Sequence, residues 1–231
     1  MNGETSLGRV GAPTGQWRRL TLVRLLLTVG WALAAAGFFA PWIAHQAVGL
    51  TLSGVDMGEF VKFLPDALDG SARVYRQLFY LPPIAICVST SLLVSSKHLR
   101  LPWPVQAVAI CIAVLASLQL LPPAWSPPSL VSPEFRLQTI ALAACWLLLA
   151  VSWLLAALPP WLAGSLSATL CLAALSLALW QYLAIRPSID EVYGAPPPTG
   201  WGLPICLIGL SIAAVAGLIF VQRTAARSRN P

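Results

Sequence analysis

The side chains in this chain that can do chemistry are few, and most of them fall in one stretch. Residues 46–77 carry four carboxylates, Asp56, Glu59, Asp66 and Asp69. On a helix, Asp56 and Glu59 stand three residues apart and share a side. Two carboxylates begin a cation site, but a hard cation takes about six or more oxygens. The two histidines, His45 and His98, lie far apart in the chain. All five cysteines, Cys87, Cys111, Cys145, Cys171 and Cys206, sit inside apolar runs with no C-x-x-C pair. They read as small hydrophobes, giving no disulfide framework and no zinc site. No catalytic residue, metal ligand set or cofactor-binding motif is expected from these types and spacings.

Two short motifs resemble signatures of membrane enzymes. Asp66-Ala-Leu-Asp69-Gly70-Ser71-Ala72-Arg73 resembles the start of the CDP-alcohol phosphatidyltransferase signature. That resemblance implies a six-helix membrane enzyme whose aspartates hold metal and a diphosphate. One residue separates Gly70 from Ala72 where the family has two, and residues 74–89 hold neither the later glycine nor the paired aspartates. Gly209-Leu210-Ser211-Ile212 resembles the serine motif of rhomboid proteases. A serine nucleophile needs a base within hydrogen-bond reach. His45 and His98 are expected at opposite membrane faces, so neither a dyad nor a bis-histidine haem can be assembled.

The elements around these residues are long and apolar. Of 231 residues, 58% are hydrophobic and 10% charged, against about 25% charged in soluble domains. Six apolar runs stand out, near 22–44, 78–94, 101–121, 137–158, 161–185 and 201–221. Most hold about 20 residues, the length at which a helix crosses a ~30 Å hydrocarbon core. Strands of a barrel need only about 9–11 alternating residues, so helices are expected. The first run exceeds the about 7–15 apolar residues of a signal peptide and is expected to remain uncleaved. Pro159 and Pro160 forbid one continuous helix through the fourth and fifth runs and predict a tight hairpin. The sequence therefore predicts an all-α polytopic bundle: a disordered cytoplasmic tail over 1–20, a six-helix transmembrane domain over 21–222 with an external loop 46–77, and a cytoplasmic tail over 223–231.

Charge sorts along this frame. Arg9, Arg18, Arg19, Arg24, Lys97, Arg100, Arg223, Arg227 and Arg229 fall on one side, and Lys62, Arg73, Arg76, Arg136 and Arg186 on the other. The positive-inside rule places both termini in the cytoplasm of a cell-membrane protein. The net charge of +6 is read as this anchoring and not as nucleic-acid binding. Among the acids only Glu4 falls on the cytoplasmic side. No charge lies in the middle of a run, where insertion costs about 2.5–3.5 kcal/mol. That argues against a proton pump, an ion-coupled transporter and a voltage sensor.

Within the loop, Ser53-Gly-Val-Asp56 resembles a capping box opening a short helix with Val55, Phe60, Val61, Phe63 and Leu64 on an apolar side. Pro65 stops it, Asp69-Gly70 reads as a turn, and Ser71 can cap a second helix. Such a helix lies on the outer surface or caps the bundle. Small residues recur at Gly209, Ala213 and Gly217, at Gly30, Ala34 and Gly37, and at Gly164 and Ala168. These are expected at helix-packing or partner interfaces. Trp17, Trp42, Trp103, Trp125, Trp161, Trp180 and Trp201 form the interfacial belt, while Trp31, Trp146 and Trp153 lie deeper and are expected to line the bundle.

The function expected is non-catalytic, a membrane subunit or accessory protein whose partners are the lipid bilayer and other membrane proteins. One alternative is an uncoupled carrier or channel for a small neutral or lipophilic molecule, with a cavity lined by Ser, Thr and Gln. Another is a membrane enzyme in which Asp56, Glu59, Asp66 and Asp69 converge on the external face.

Overall fold

The computed structural model describes residues 14–70, 74–122 and 126–228. The expectations for residues 1–13, for Ser71 and Arg73, for Trp125 and for Arg229 lie outside the described residues, as do the side chains of Trp17, Arg18, Arg19 and Arg227.

The chain is all-α, apart from one small ladder. Helix α1 spans Thr14–Phe39 and so begins inside the stretch 1–20 expected to be a tail. At the far end Pro41 stops it, because proline lacks the N–H that would extend the ladder. Strands β1 (Pro41–Ile43) and β2 (Leu52–Ser53) then pair antiparallel. Short helices α2 (Gly54–Phe60) and α3 (Pro65–Leu68) complete the first loop. A 3-10 turn over Arg76–Tyr80 leads into α4 (Leu81–Leu93). Pro82 and Pro83 occupy its first turn, where the missing donors have no intrahelical partner to lose.

Helix α5 spans Trp103–Ser117, the short α6 Pro127–Val131, and α7 Arg136–Ala150. Val151, at φ −95° and ψ 13°, interrupts α7 before the last turn, α8 (Ser152–Leu155). The break expected at the two prolines is present: Pro159 is the N-cap residue and Pro160 the first residue of α9 (Pro160–Ala184), although α7, α8 and α9 each pack on α4 and not as a tight hairpin on one another. Helices α10 (Arg186–Tyr193) and α11 (Gly202–Ser228) follow. Four helical stretches are long and apolar enough to cross a membrane: Leu20–Phe39, Trp103–Leu120, Pro160–Ala184 and Gly202–Ala225. Helices α4 and α7, in the second and fourth apolar runs, are shorter.

Small residues set the closest approaches. A Cβ on Gly30 would stand 2.8 Å from the Ala213 nitrogen and 2.9 Å from the Gly209 oxygen. One on Gly37 would stand 2.7 Å from the Gly202 oxygen. Gly30 thus meets the later part of α11 and Gly37 its start, so α1 and α11 run antiparallel. On the other side of α11, a Cβ on Gly217 would stand 3.0 Å from the Gly164 oxygen and 3.3 Å from the Ala168 Cβ. The ridges of α1, α9 and α11 are consumed by packing on one another.

Helix α4 is enclosed by α1, α5, α7 and α9. Of its buried hydroxyls, Ser89 finds partners on other helices and Ser91 donates to the Cys87 carbonyl of α4 itself, while Thr90 Oγ1 has no partner among the described residues. Trp31 Nε1 donates to Ser89 Oγ at 3.0 Å, and Ser89 Oγ lies 2.6 Å from Ser167 Oγ, joining α1, α4 and α9. Two expectations about tryptophan are corrected. Trp42 does not sit in the belt: it is fully buried, edge-on to Phe38, Phe79 and Tyr182 at 6.1–6.2 Å, with Nε1 donating to the Gly37 carbonyl. Trp146 and Trp153 do not line the interior; they are 46% and 68% exposed. Depth along a helix is readable from sequence, but the face a residue occupies depends on which neighbours cover it.

Candidate functional site

The chemistry-bearing residues gather at one end of the bundle, where the loops 40–80, 118–135 and 185–201 meet. Local sequence builds the first part. Ser53 caps α2: the Asp56 backbone N–H donates to Ser53 Oγ, and Ser53 N–H donates to Asp56 Oδ2 at 2.9 Å. The capping box expected from the sequence is therefore present, and it engages Asp56. Gly54 and Gly58 then let α2 settle on the bundle. A Cβ on Gly54 would meet the Phe38 carbonyl oxygen and the Trp42 ring at 2.7 Å, and one on Gly58 would lie 2.6 Å from the Tyr80 hydroxyl. This Gly-x-x-x-Gly pair is a packing signal within the loop, legible in the sequence as small residues four apart.

Once α2 is seated, Glu59 accepts a hydrogen bond from the Tyr80 hydroxyl at 3.0 Å and pairs with Lys62. Lys62 Nζ also lies 2.7 Å from Glu134 Oε1, and Arg76 Nη1 lies 3.2 Å from the same oxygen and 3.8 Å from Glu59 Oε1. Arg76 Nη2 donates to the Glu134 carbonyl as well. Beneath the pair, the Phe135 ring centroid is 5.5 Å from Lys62 Nζ and 5.4 Å from the Arg76 guanidinium carbon, within the range of cation–π attraction. Two acids and two bases thus form a neutral clasp between the first loop and the residues ahead of α7. The Lys62 hydrogen bond, followed by charge from Lys62 and Arg76, holds the Glu134 carboxyl below the usual carboxylate range. For Lys62 the largest single influence is burial, which pulls its pKa down. Hydrogen bonds and charge from Glu134 and Glu59 outweigh it, and the ammonium pKa is raised.

The remaining acids go elsewhere. Asp66 accepts a hydrogen bond from Ser188 at α10, and Arg186 pairs with Asp190 at 3.1 Å while donating to the Tyr182 hydroxyl at 2.8 Å. Backbone bonds from Ala44 N to Pro198 O (3.0 Å) and from Gly200 N to Trp42 O (2.8 Å) tie the third loop to β1. Asp69 precedes Gly70, whose φ of 75° makes the expected turn. Asp56, Glu59 and Asp66 therefore serve separate partners. Among the described residues no group of three His, Cys, Asp or Glu is placed to hold a metal ion.

A groove of about 730 Å³ runs beside the clasp, between α2 and the end of α5. Phe60, Phe63, Leu118 and Leu121 give it apolar walls, and Glu59 and Gln119 supply polar atoms. A second groove of about 460 Å³ is lined by His45, Tyr193 and Pro196 to Pro198. His98 lies on the far end of the bundle from His45, and Ser211 donates to the Leu207 carbonyl of its own helix at 2.8 Å. No nucleophile–base pair arises from these residues. In the sequence Lys62, Arg76 and Arg186 bear only on orientation. Their pairing with acids up to 72 residues away leaves no local signature.

The chain matches no protein-family model, no curated protein and no solved structure.

Proposed function

We propose that the chain is a six-pass membrane protein with both termini in the cytoplasm of the cell membrane, acting as a non-catalytic subunit or accessory protein that binds lipid or other membrane proteins. Four long apolar helices support its residence in a membrane. The two shorter ones fit the same thickness once their neighbours are counted. Five 3-10 residues at ~2.0 Å and the 13 of α4 at ~1.5 Å rise give about 30 Å. Residues Arg136–Leu155 of α7 and α8 also give about 30 Å. The turns then alternate between two ends, with the clasp at one and the Ser95–Ser152 contact (3.2 Å) at the other.

The observation that carries the functional reading is the contrast between partnered acids at the loop end and an uncovered apolar flank. At the loop end Asp56, Glu59, Asp66, Glu134 and Asp190 are spent on capping and pairing. Along α7 and α8, by contrast, Leu137, Ile140, Leu147, Trp153 and Leu154 remain more than half exposed. An apolar strip of this length needs lipid or another helix as its solvent. Purification of the tagged chain from native membranes in mild detergent tests the proposal. A defined complex with another membrane protein or with retained lipid is expected. A monodisperse chain carrying neither would overturn it.

A further inference from the structure

At the end of the bundle away from the clasp, the turn between α4 and α5 carries Lys97, His98 and Arg100, all exposed, around a buried Leu99. Leu99 and Arg100 N–H both donate to the Ser96 carbonyl, which folds the turn tightly. Arg24 of α1 reaches across 75 residues and donates Nε to the Leu99 carbonyl at 2.7 Å. One hydrogen bond thereby brings the cations of two segments around a single point.

Among the described residues no acid is available to answer them. Every described Asp and Glu belongs to the loops at the clasp end, a helix length away, which is several Debye lengths in water. Among the described residues, Lys97 and Arg100 form no ion pair. The flanks are apolar: Leu22 and Leu25 on either side of Arg24, and Trp103 four residues beyond Leu99, are 47%, 58% and 79% exposed. Cations without a counter-ion among the described residues, bordered by exposed hydrocarbon, complement a molecule with an anionic head and an apolar tail.

We infer that Arg24, Lys97 and Arg100 form a binding site for the phosphate head of an anionic membrane lipid, whose acyl chains lie along α1 and α5. Basic side chains near a charged bilayer surface each contribute about 1 kcal/mol to such an attraction. The site rests on the membrane reading proposed above, and the experiment separates the two.

The full chain is reconstituted into nanodiscs of phosphatidylcholine alone or with phosphatidylglycerol, and thermal unfolding is followed. A higher midpoint in the anionic discs is expected. The K97Q/R100Q double variant should lose most of that difference, and K97R/R100K should keep it. Equal midpoints for the wild type, or a difference that survives K97Q/R100Q, would overturn the site. Inorganic phosphate reproducing the shift in phosphatidylcholine discs would overturn the lipid as its source. A chain that stays out of the discs altogether would overturn the membrane reading first, before any lipid comparison is made.

Discussion

Lys62 Nζ lies 2.7 Å from Glu134 Oε1, and that pair joins two loops 72 residues apart in the chain. It is shared with Arg76 and backed by Phe135, so the contact is a small network. Networks hold geometry better than isolated surface pairs do.

The clasp has a pH window. Because the Glu134 carboxyl is lowered on folding, its contribution is full above the ordinary carboxylate pKa and is lost as pH falls through the lowered value. Because Lys62 is raised, its contribution is full below the ordinary lysine pKa and is lost as pH rises through the raised value. Glu134 is half exposed, which discounts the stake to under about 1 kcal/mol. Glu134→Gln should speed amide exchange over 126–135 at neutral pH and flatten the acid limb of stability. Unchanged exchange would show that the network holds nothing.

The Gly30–Gly209 crossing predicts a large and directional cost. A Cβ on Gly209 would stand 2.7 Å from the Gly30 oxygen and from Ala34 Cα, both backbone atoms that cannot step aside. Gly209→Ala should cost about 1–3 kcal/mol or more, as overpacking does. Gly49→Ala, which meets nothing within 4 Å, is the control and should be near neutral. Detergent thermal melts of the two variants read the difference.

Arg100 is held at φ 47°, the left-handed region. For a residue with a Cβ this costs about 1–2 kcal/mol, partly offset for glycine by its greater unfolded freedom. Arg100→Gly should therefore stabilise the fold slightly, within about 1 kcal/mol, in zwitterionic lipid. The same change should reduce the gain from anionic lipid. Two shifts of opposite sign from one substitution separate strain at this turn from a merely structural role, and melts in both disc types measure them.

What sequence could say about this fold followed from how local each signal is. The Ser53–Asp56 capping box spans four residues and was readable. So were the ridge of Gly209, Ala213 and Gly217 and the helix break at Pro159–Pro160, since each depends on a few neighbouring residues. The clasp was not, because Lys62, Arg76 and Glu134 become neighbours only after α4 and α7 pack. The same limit explains the tryptophans: Trp42 and Trp153 sit in similar apolar surroundings in the sequence, yet one is walled in by Phe38 and Phe79 and the other faces outward. Helix α4 ran shorter than its apolar run because Tyr80, Pro82 and Pro83 tighten its start into a 3-10 turn.

Single cysteines placed at Asp69, Ser129, Glu191, Lys97 and Ala157 in a background lacking the five native thiols, and labelled with a membrane-impermeant maleimide in sealed vesicles, test the six-span proposal most directly. Six traversals predict that positions 69, 129 and 191 react from one side and positions 97 and 157 from the other. Labelling of all five from the same side, or recovery of the chain in the aqueous fraction after alkaline carbonate extraction, would contradict it.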